Sequence, residues 1–345
     1  MLATTLRHPV RLASYFGRWT LALGLFAGRL GADPLLEMVP AGMDWVLGAE
    51  LERIVASPSF SSWDSERRRH SGPDDFVDFV SHSGLDLRRD VRRLRVGGQL
   101  GGGNEFVAVL EGDFEPERLL AAWGERWQLE ARPVGGWTFY RPRALEGAGA
   151  AVAGHELEFA FPDSKRLLLC SIGSAAAAAA VAQDGAPSLA QDPTMQAAIE
   201  SARGSAMIWI VARMRPDAGT VLAANPFANN LRSVESLAFT MDLGEGVQAD
   251  LRLRCADELE AGRLMESVGG LVALGRGLLA GQKPGAALAF EGLRVDREAA
   301  EVQLSLALGA AELATLREAF SRSAVHPPPV PEPAARPQPP PPPQE

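Results

Sequence analysis

Hydrophobic and polar positions along this chain trace one plan twice. From Met43, MDWVLGAELERIVASPSF runs as a short apolar strand, an amphipathic helix and a Ser-Pro stop before Phe60. From Ala206, AMIWIVARMRPDAGTVLAANPF repeats the strand, the helix and the Pro-Phe punctuation. The far ends of the copies also correspond: FPDSKRLLLCSIGSAAAAAAVA and VDREAAEVQLSLALGAAELATLREAF each read as polar turn, apolar strand, glycine and helix. Between these ends, period-2 runs predict strands at Leu94–Leu100, Glu105–Glu111, Trp137–Arg141, Glu156–Phe161 and Arg166–Ile172 in the first copy. The second copy is expected to hold strands Met207–Ala212, Val234–Leu243, Val247–Arg254, Ala287–Val295 and Glu301–Leu308. Helices are expected over Leu51–Ala56, Asp74–Ser81, Pro116–Gln128, from Ser174, from Asp192-Pro193, over Asp217–Ala224, Glu258–Leu279 and Ala311–Ser321.

Adjacent strands joined by tight turns imply antiparallel pairing, and helices inserted between the pairs imply an α+β fold. The expected architecture is two tandem repeats of mostly antiparallel sheet with helices on one face. Alternation in ADLRLR from Ala249 and in EVQLSL from Glu301 leaves the other face wet. Val302, Leu304, Leu306 and Leu308 should then point inward, with Gln303 and Ser305 in water. The organisation follows as residues 1–32, a signal-like or amphipathic segment; 33–185, the first repeat; 186–324, the second repeat with its connecting helix; and 325–345, a disordered proline-rich tail.

Composition narrows the function classes. A net charge of −9 argues against nucleic acid as a partner, which needs a basic footprint. The N-terminal segment is the exception, with Arg7, Arg11, Arg18 and Arg29 and no acid before Asp33. Its apolar run WTLALGLFAG, followed by Leu30-Gly31-Ala32, fits a secretory signal or signal-anchor, with that tripeptide as an imperfect cleavage site. Wound as a helix, residues 7–29 also present a basic and an apolar side, suited to contact with a membrane surface or to packing on the fold. At the other end, PPPVPEPAARPQPPPPPQE is proline-dominated and expected to be extended.

Candidate chemistry is sparse. The glycines Gly97, Gly98, Gly101, Gly102 and Gly103 lead into a strand with no lysine nearby, so a hairpin turn is expected and not a phosphate loop. No nucleophile elbow occurs, and His8, His70, His82, His155 and His326 lack zinc-binding spacing. His70 and His82 with Asp74, Asp75 and Asp78 form the only His/Asp-rich patch, read as surface decoration. No catalytic residue, metal site or cofactor is therefore expected. Arg88, Arg89, Arg92, Arg93 and Arg95 are the strongest local charge feature, a candidate docking patch for an acidic protein or an anionic envelope partner. Trp123 and Trp127 fall four apart on the expected Pro116 helix, as core or as the wall of an apolar-ligand site. Cys170 and Cys255 end strands that feed helices, one in each copy; a disulfide between them and two buried thiols are both open.

The apolar N-terminal segment, the Val39-Pro40-Ala41 lead-in to the first strand and the two α+β repeats together resemble uncharacterised bacterial secreted families. The resemblance spans about Val39 to Arg322 and implies export to the periplasm or envelope, with a cytoplasmic location as the alternative. It brings no catalytic residues. The expected function is a non-enzymatic binding or scaffold protein of the cell envelope. The alternatives are a carrier of an apolar ligand such as a lipid and, further off, a hydrolase without a linear motif.

Overall fold

The computed structural model describes residues 33–70, 84–86, 88–100, 105–125, 127–144, 157–214, 233–282 and 291–324. The N-terminal segment, the expected helices Asp74–Ser81 and Asp217–Ala224, most of the His/Asp patch and the proline tail lie outside them. Twelve strands form one antiparallel sheet: β1 Trp45–Ala49, β2 Val91–Gly98, β3 Phe106–Gly112, β4 Trp127–Val134, β5 Trp137–Ala144, β6 Leu157–Asp163, β7 Arg166–Ser171, β8 Ile208–Arg213, β9 Val234–Leu243, β10 Val247–Cys255, β11 Leu293–Glu298 and β12 Glu301–Leu308. The described helices are α1 Leu51–Val55, α2 Pro58–His70, α3 Pro116–Gly124, α4 Ala175–Asp184, α5 Pro193–Arg203, α6 Glu258–Gln282 and α7 Ala310–Ala324. The fold class is α+β.

Spatial order explains the repeat. Strands β1 and β8 pair antiparallel at the centre, Leu47 opposite Ile210. Outward from that pair the order runs β1-β2-β3-β7-β6 on one side and β8-β9-β10-β12-β11 on the other. The same connectivity therefore radiates both ways from one junction. The first half carries an added hairpin, β4–β5, which makes β4 one edge of the sheet; β11 is the other edge.

Alternation along the strands sorts the core onto two faces. The front face carries Leu47, Leu94, Leu110, Leu167, Ile208 and Met241, packed with residues of α1, α2 and α3. Its continuation over the second half, Val234, Leu253 and Val302, meets Ala261 and Leu264 of α6. The back face carries Val46, Val109, Leu168, Trp209 and Val211 under α4, α5 and the short 3-10 turns at Leu36–Met38 and Leu189–Gln191. Helices on one face therefore describe the outer second half, where Gln248, Arg252, Arg254, Arg294 and Asp296 stay exposed on the back. The first half is covered on both faces, because an alanine-rich helix such as α4 lies close to a sheet without displacing it. Along β12, Val302 and Leu308 are buried as expected, but Leu304 and Leu306 are only half-buried, like Gln303 and Ser305.

Three local readings change. The polar stretch after Ser57-Pro58, expected as a turn-rich loop, is α2. Pro58 ends α1 but suits the first helical turn, and Ser57 Oγ accepts the Phe60 N–H at 3.2 Å. The expected Pro116–Gln128 helix stops at Gly124, and Trp127 instead opens β4, paired with β5. The last hairpin shifts toward the C-terminus, with β11 at Leu293–Glu298.

Close approach at the centre depends on glycine. A Cβ on Gly48 would lie 2.1 Å from the Trp209 ring, because the indole lies across β1 on the back face. Gly98 makes the same room for Trp45 on the front, at 2.4 Å. Gly48→Ala is therefore expected to lower stability by about 1–3 kcal/mol in urea unfolding, since Trp209 must leave its position. Gly124→Ala, where a Cβ meets nothing within 4 Å, should stay within about 0.5 kcal/mol.

Candidate functional site

The five arginines of the expected docking patch do not form one surface. Arg88 pairs with Asp64 of α2 and lies 5.9 Å over the Phe60 ring. Arg89 bonds Asp90 at 2.9 Å, Arg92 pairs with Asp113, and Arg93 with Glu111. Each exposed or half-exposed guanidinium thus has a local carboxylate. Arg95 differs in kind: its side chain is 0% exposed, so it takes no part in docking.

Arg95 sits on the back face of β2, opposite Gly48. Its Nε donates to Asp33 Oδ2 at 2.7 Å and its Nη2 to Glu50 Oε1. Its Nη1 donates to the carbonyls of Leu94 at 2.8 Å and Ala49 at 3.3 Å. The Trp209 ring lies under the guanidinium at 5.4 Å, reaching it across the space Gly48 leaves. Arg203 of α5 approaches Asp33 Oδ2 at 3.5 Å. Burial alone would raise the Asp33 carboxyl, but Arg95, by charge and hydrogen bond, with Arg203 and the Leu35 amide, holds it below its ordinary value. Burial pulls Arg95 down, and the two carboxylates more than reverse that. Two atoms here accept or donate nothing: Glu50 Oε2 and Trp209 Nε1 are buried without a hydrogen-bond partner.

The two tryptophans are core residues on different elements. Trp123 on α3 meets Phe159 edge-on at 4.6 Å and stacks on Phe161 at 5.9 Å, and Trp127 is 8% exposed at the start of β4. Both belong to the core cluster that also holds Phe159. Cys170 and Cys255 are both buried free thiols, with no disulfide. Burial, with the Glu158 charge adding, pushes the Cys170 thiol up to about 12.

An apolar surface lies elsewhere. The exposed large hydrophobic side chains among the described residues are Leu259, Met265, Leu271 and Leu274, all on α6. Ala261 and Leu264 turn toward the sheet, while Leu259 and Leu274 project outward, 64% and 58% exposed. Beside α6, on the front face, Phe239, Leu251, Leu304 and Leu306 are half-buried. Sequence reasoning missed this surface because α6 is apolar on most sides, so no single stripe marks the inner one. Among the described residues no group of three or more His, Cys, Asp and Glu side chains is placed to hold a metal, and no helix is long and apolar enough to cross a membrane. A hollow of about 380 Å³ opens between α2 and α7, lined by Pro58, Ser59, Ser62, Glu245 and Leu313.

No family model and no curated protein matches the chain. Two solved structures of TP0453 are similar in fold. Crystal form I gives a TM-score of 0.43 at 11% identity over 85% of this chain and 98% of that one. Crystal form IV gives 0.45 at 10% identity over 85% and 97%.

Arg95→Met should cost about 3–5 kcal/mol in urea unfolding, because two buried carboxylates lose their counterion. The Asp33 carboxyl is depressed in the folded state, so its contribution is complete above the ordinary 3.8 and is lost as pH falls through the folded value. The stability gap between wild type and Asp33→Asn should accordingly narrow from about pH 7 to about pH 3. Cys170 should resist iodoacetamide at neutral pH and react once the chain is unfolded in denaturant.

Proposed function

We propose that this protein is a non-enzymatic binding or scaffold protein of the cell envelope, docking through helix α6 and the adjoining front face of the second half. The observation that carries the reading is the gathering of Leu259, Met265, Leu271 and Leu274 on one helix. Exposed apolar side chains clustered on one element, rimmed by polar residues such as Arg263 and Glu266, are what contact surfaces present. Burying a leucine that is otherwise exposed is worth about 1.5–3 kcal/mol, so the two outward leucines would contribute a large part of such a contact. The envelope part of the reading is supported by the basic, apolar residues 7–29.

The carrier alternative gains no support from Trp123, whose ring packs on Phe159 and Phe161, or from Trp127, which belongs to the same core cluster. Nucleic acid is disfavoured by the charge of −9.

Cell fractionation tests the reading. The full chain should sediment with the envelope, and Leu259→Glu with Leu274→Glu should cut that share by about tenfold or more. The melting temperature should stay within about 1–2 °C of wild type, because neither side chain is buried. Equal partition of wild type and double variant would remove α6 as the docking surface.

A further inference from the structure

Ala261, Leu264 and Val272 mark the buried side of α6. At about 3.6 residues per turn, the opposite side carries Leu259, Arg263, Glu266, Gly270 and Leu274, all exposed. This outer stripe has a leucine at each end, about 22 Å apart, and opposite charges between them. It also has a gap at Gly270, where a Cβ would meet nothing within 4 Å.

We propose that the outer side of α6 is a homotypic interface, along which two copies of this chain pair antiparallel about a two-fold axis between Glu266 and Ser267. The proposal rests on the docking surface described above and names what docks there. In that arrangement Leu259 lies opposite the second copy's Leu274, and Leu274 opposite its Leu259. Both outward leucines of both copies are then covered at once. Arg263 crosses the second copy's Gly270, where no side chain stands in its way, and lies about one turn from its Glu266. The two glutamates meet near the axis with an arginine on either side, so the centre holds two positive and two negative charges. In the single chain Arg263 pairs with Glu260 of its own helix and is 65% exposed, so giving up that contact costs little.

Charge selects the second copy over other occupants. An acyl-chain surface would take the leucines but would surround Glu266 with hydrocarbon and offer it no cation. A different protein would have to present leucines and opposite charges in this order reversed, which the chain itself already does. A contact one helix long belongs with small, reversible interfaces, with a Kd of about 1–100 μM. A pair also presents two of whatever holds one chain at the envelope, which tightens attachment without a further contact.

Sedimentation equilibrium of the full chain from about 1 to 200 μM should show a monomer–dimer equilibrium, and a monomer throughout overturns the proposal. Arg263→Glu and Glu266→Arg each place four like charges at the axis and should each weaken self-association by about tenfold or more. Mixed, the two variants should pair about as tightly as wild type, because one is then wholly negative there and the other wholly positive. A single charge variant that dimerises like wild type, or a mixture that stays monomeric, overturns the arrangement. Register is read separately, and independently of whether the charge variants fold. Leu259→Cys mixed with Leu274→Cys should oxidise to a covalent dimer of unlike chains, since Cys170 and Cys255 are buried. Equal cross-linking of each cysteine variant alone overturns the antiparallel pairing. Fractionation separates this contact from the envelope reading. If Leu259→Glu with Leu274→Glu lowers the envelope share of a chain that is monomeric, the homotypic contact falls and the docking surface stands. If that double variant stops dimerising but keeps its envelope share, the homotypic contact stands and envelope docking through α6 falls.

Discussion

A guanidinium taken wholly out of water loses several kcal/mol of hydration, and Arg95 recovers it only because four separate parts of the chain converge on it. Asp33 comes from the start of the described chain, Glu50 and the Ala49 carbonyl from the end of β1, Leu94 from β2 itself, and the Trp209 ring from β8. Apart from the Leu94 carbonyl, each contact crosses a junction: the stretch at Asp33 to the sheet, first strand to second, first half to second half. Gly48 is the geometric condition for the last of these, since any side chain there would push the indole away from the charge. The cluster therefore specifies register as well as stability. A slip of one residue in β1 against β8 would set Trp209 against Leu47 or Ala49 in place of Gly48 and take its ring off the guanidinium.

The central β1–β8 pair also makes one sheet of two halves with the same strand order. The first half has in addition the β4–β5 hairpin and a layer of helices on its back. The second half has a wet back and a front covered mainly at one end by α6. Front leucines near the middle of β12 are half-buried for that reason, and the same thin cover leaves the outer side of α6 apolar.

How much of this is legible in the sequence depends on the range of the forces involved. Alternation in β9, β10 and β12 and the Asp192-Pro193 start of α5 are local signals, and they locate these elements within one or two residues; Asp192 Oδ1 caps Thr194 and Met195. Trp127 is misplaced because Leu119, Leu120, Trp123 and Trp127 satisfy a helical period, while Gly124 and pairing with β5 decide for a strand. α2 is overlooked because, among its described side chains, Phe60 and Trp63 are the hydrophobic ones on the core, and the remainder reads as loop chemistry. The Arg95 cluster is invisible from sequence: its partners are 45 and 62 residues away, and Arg95 stands in a row of arginines that are otherwise surface residues. Local acids such as Asp113 and Glu111 neutralise those neighbours, which is why a run that looks like a patch is not one.

Among the described residues β4 and β11 are the edges of the sheet, and a free edge is a row of unpaired amides and carbonyls ready to template another strand. Here β4 carries Glu130, Arg132 and Pro133, and β11 carries Arg294, Asp296, Arg297 and Glu298. Proline withholds a donor and the charges repel a flat apolar neighbour, so neither margin invites lateral growth. The sheet is thereby finite. Copies of the chain can then crowd together without fusing along the backbone, and any recognition is left to side chains, where it can be selective.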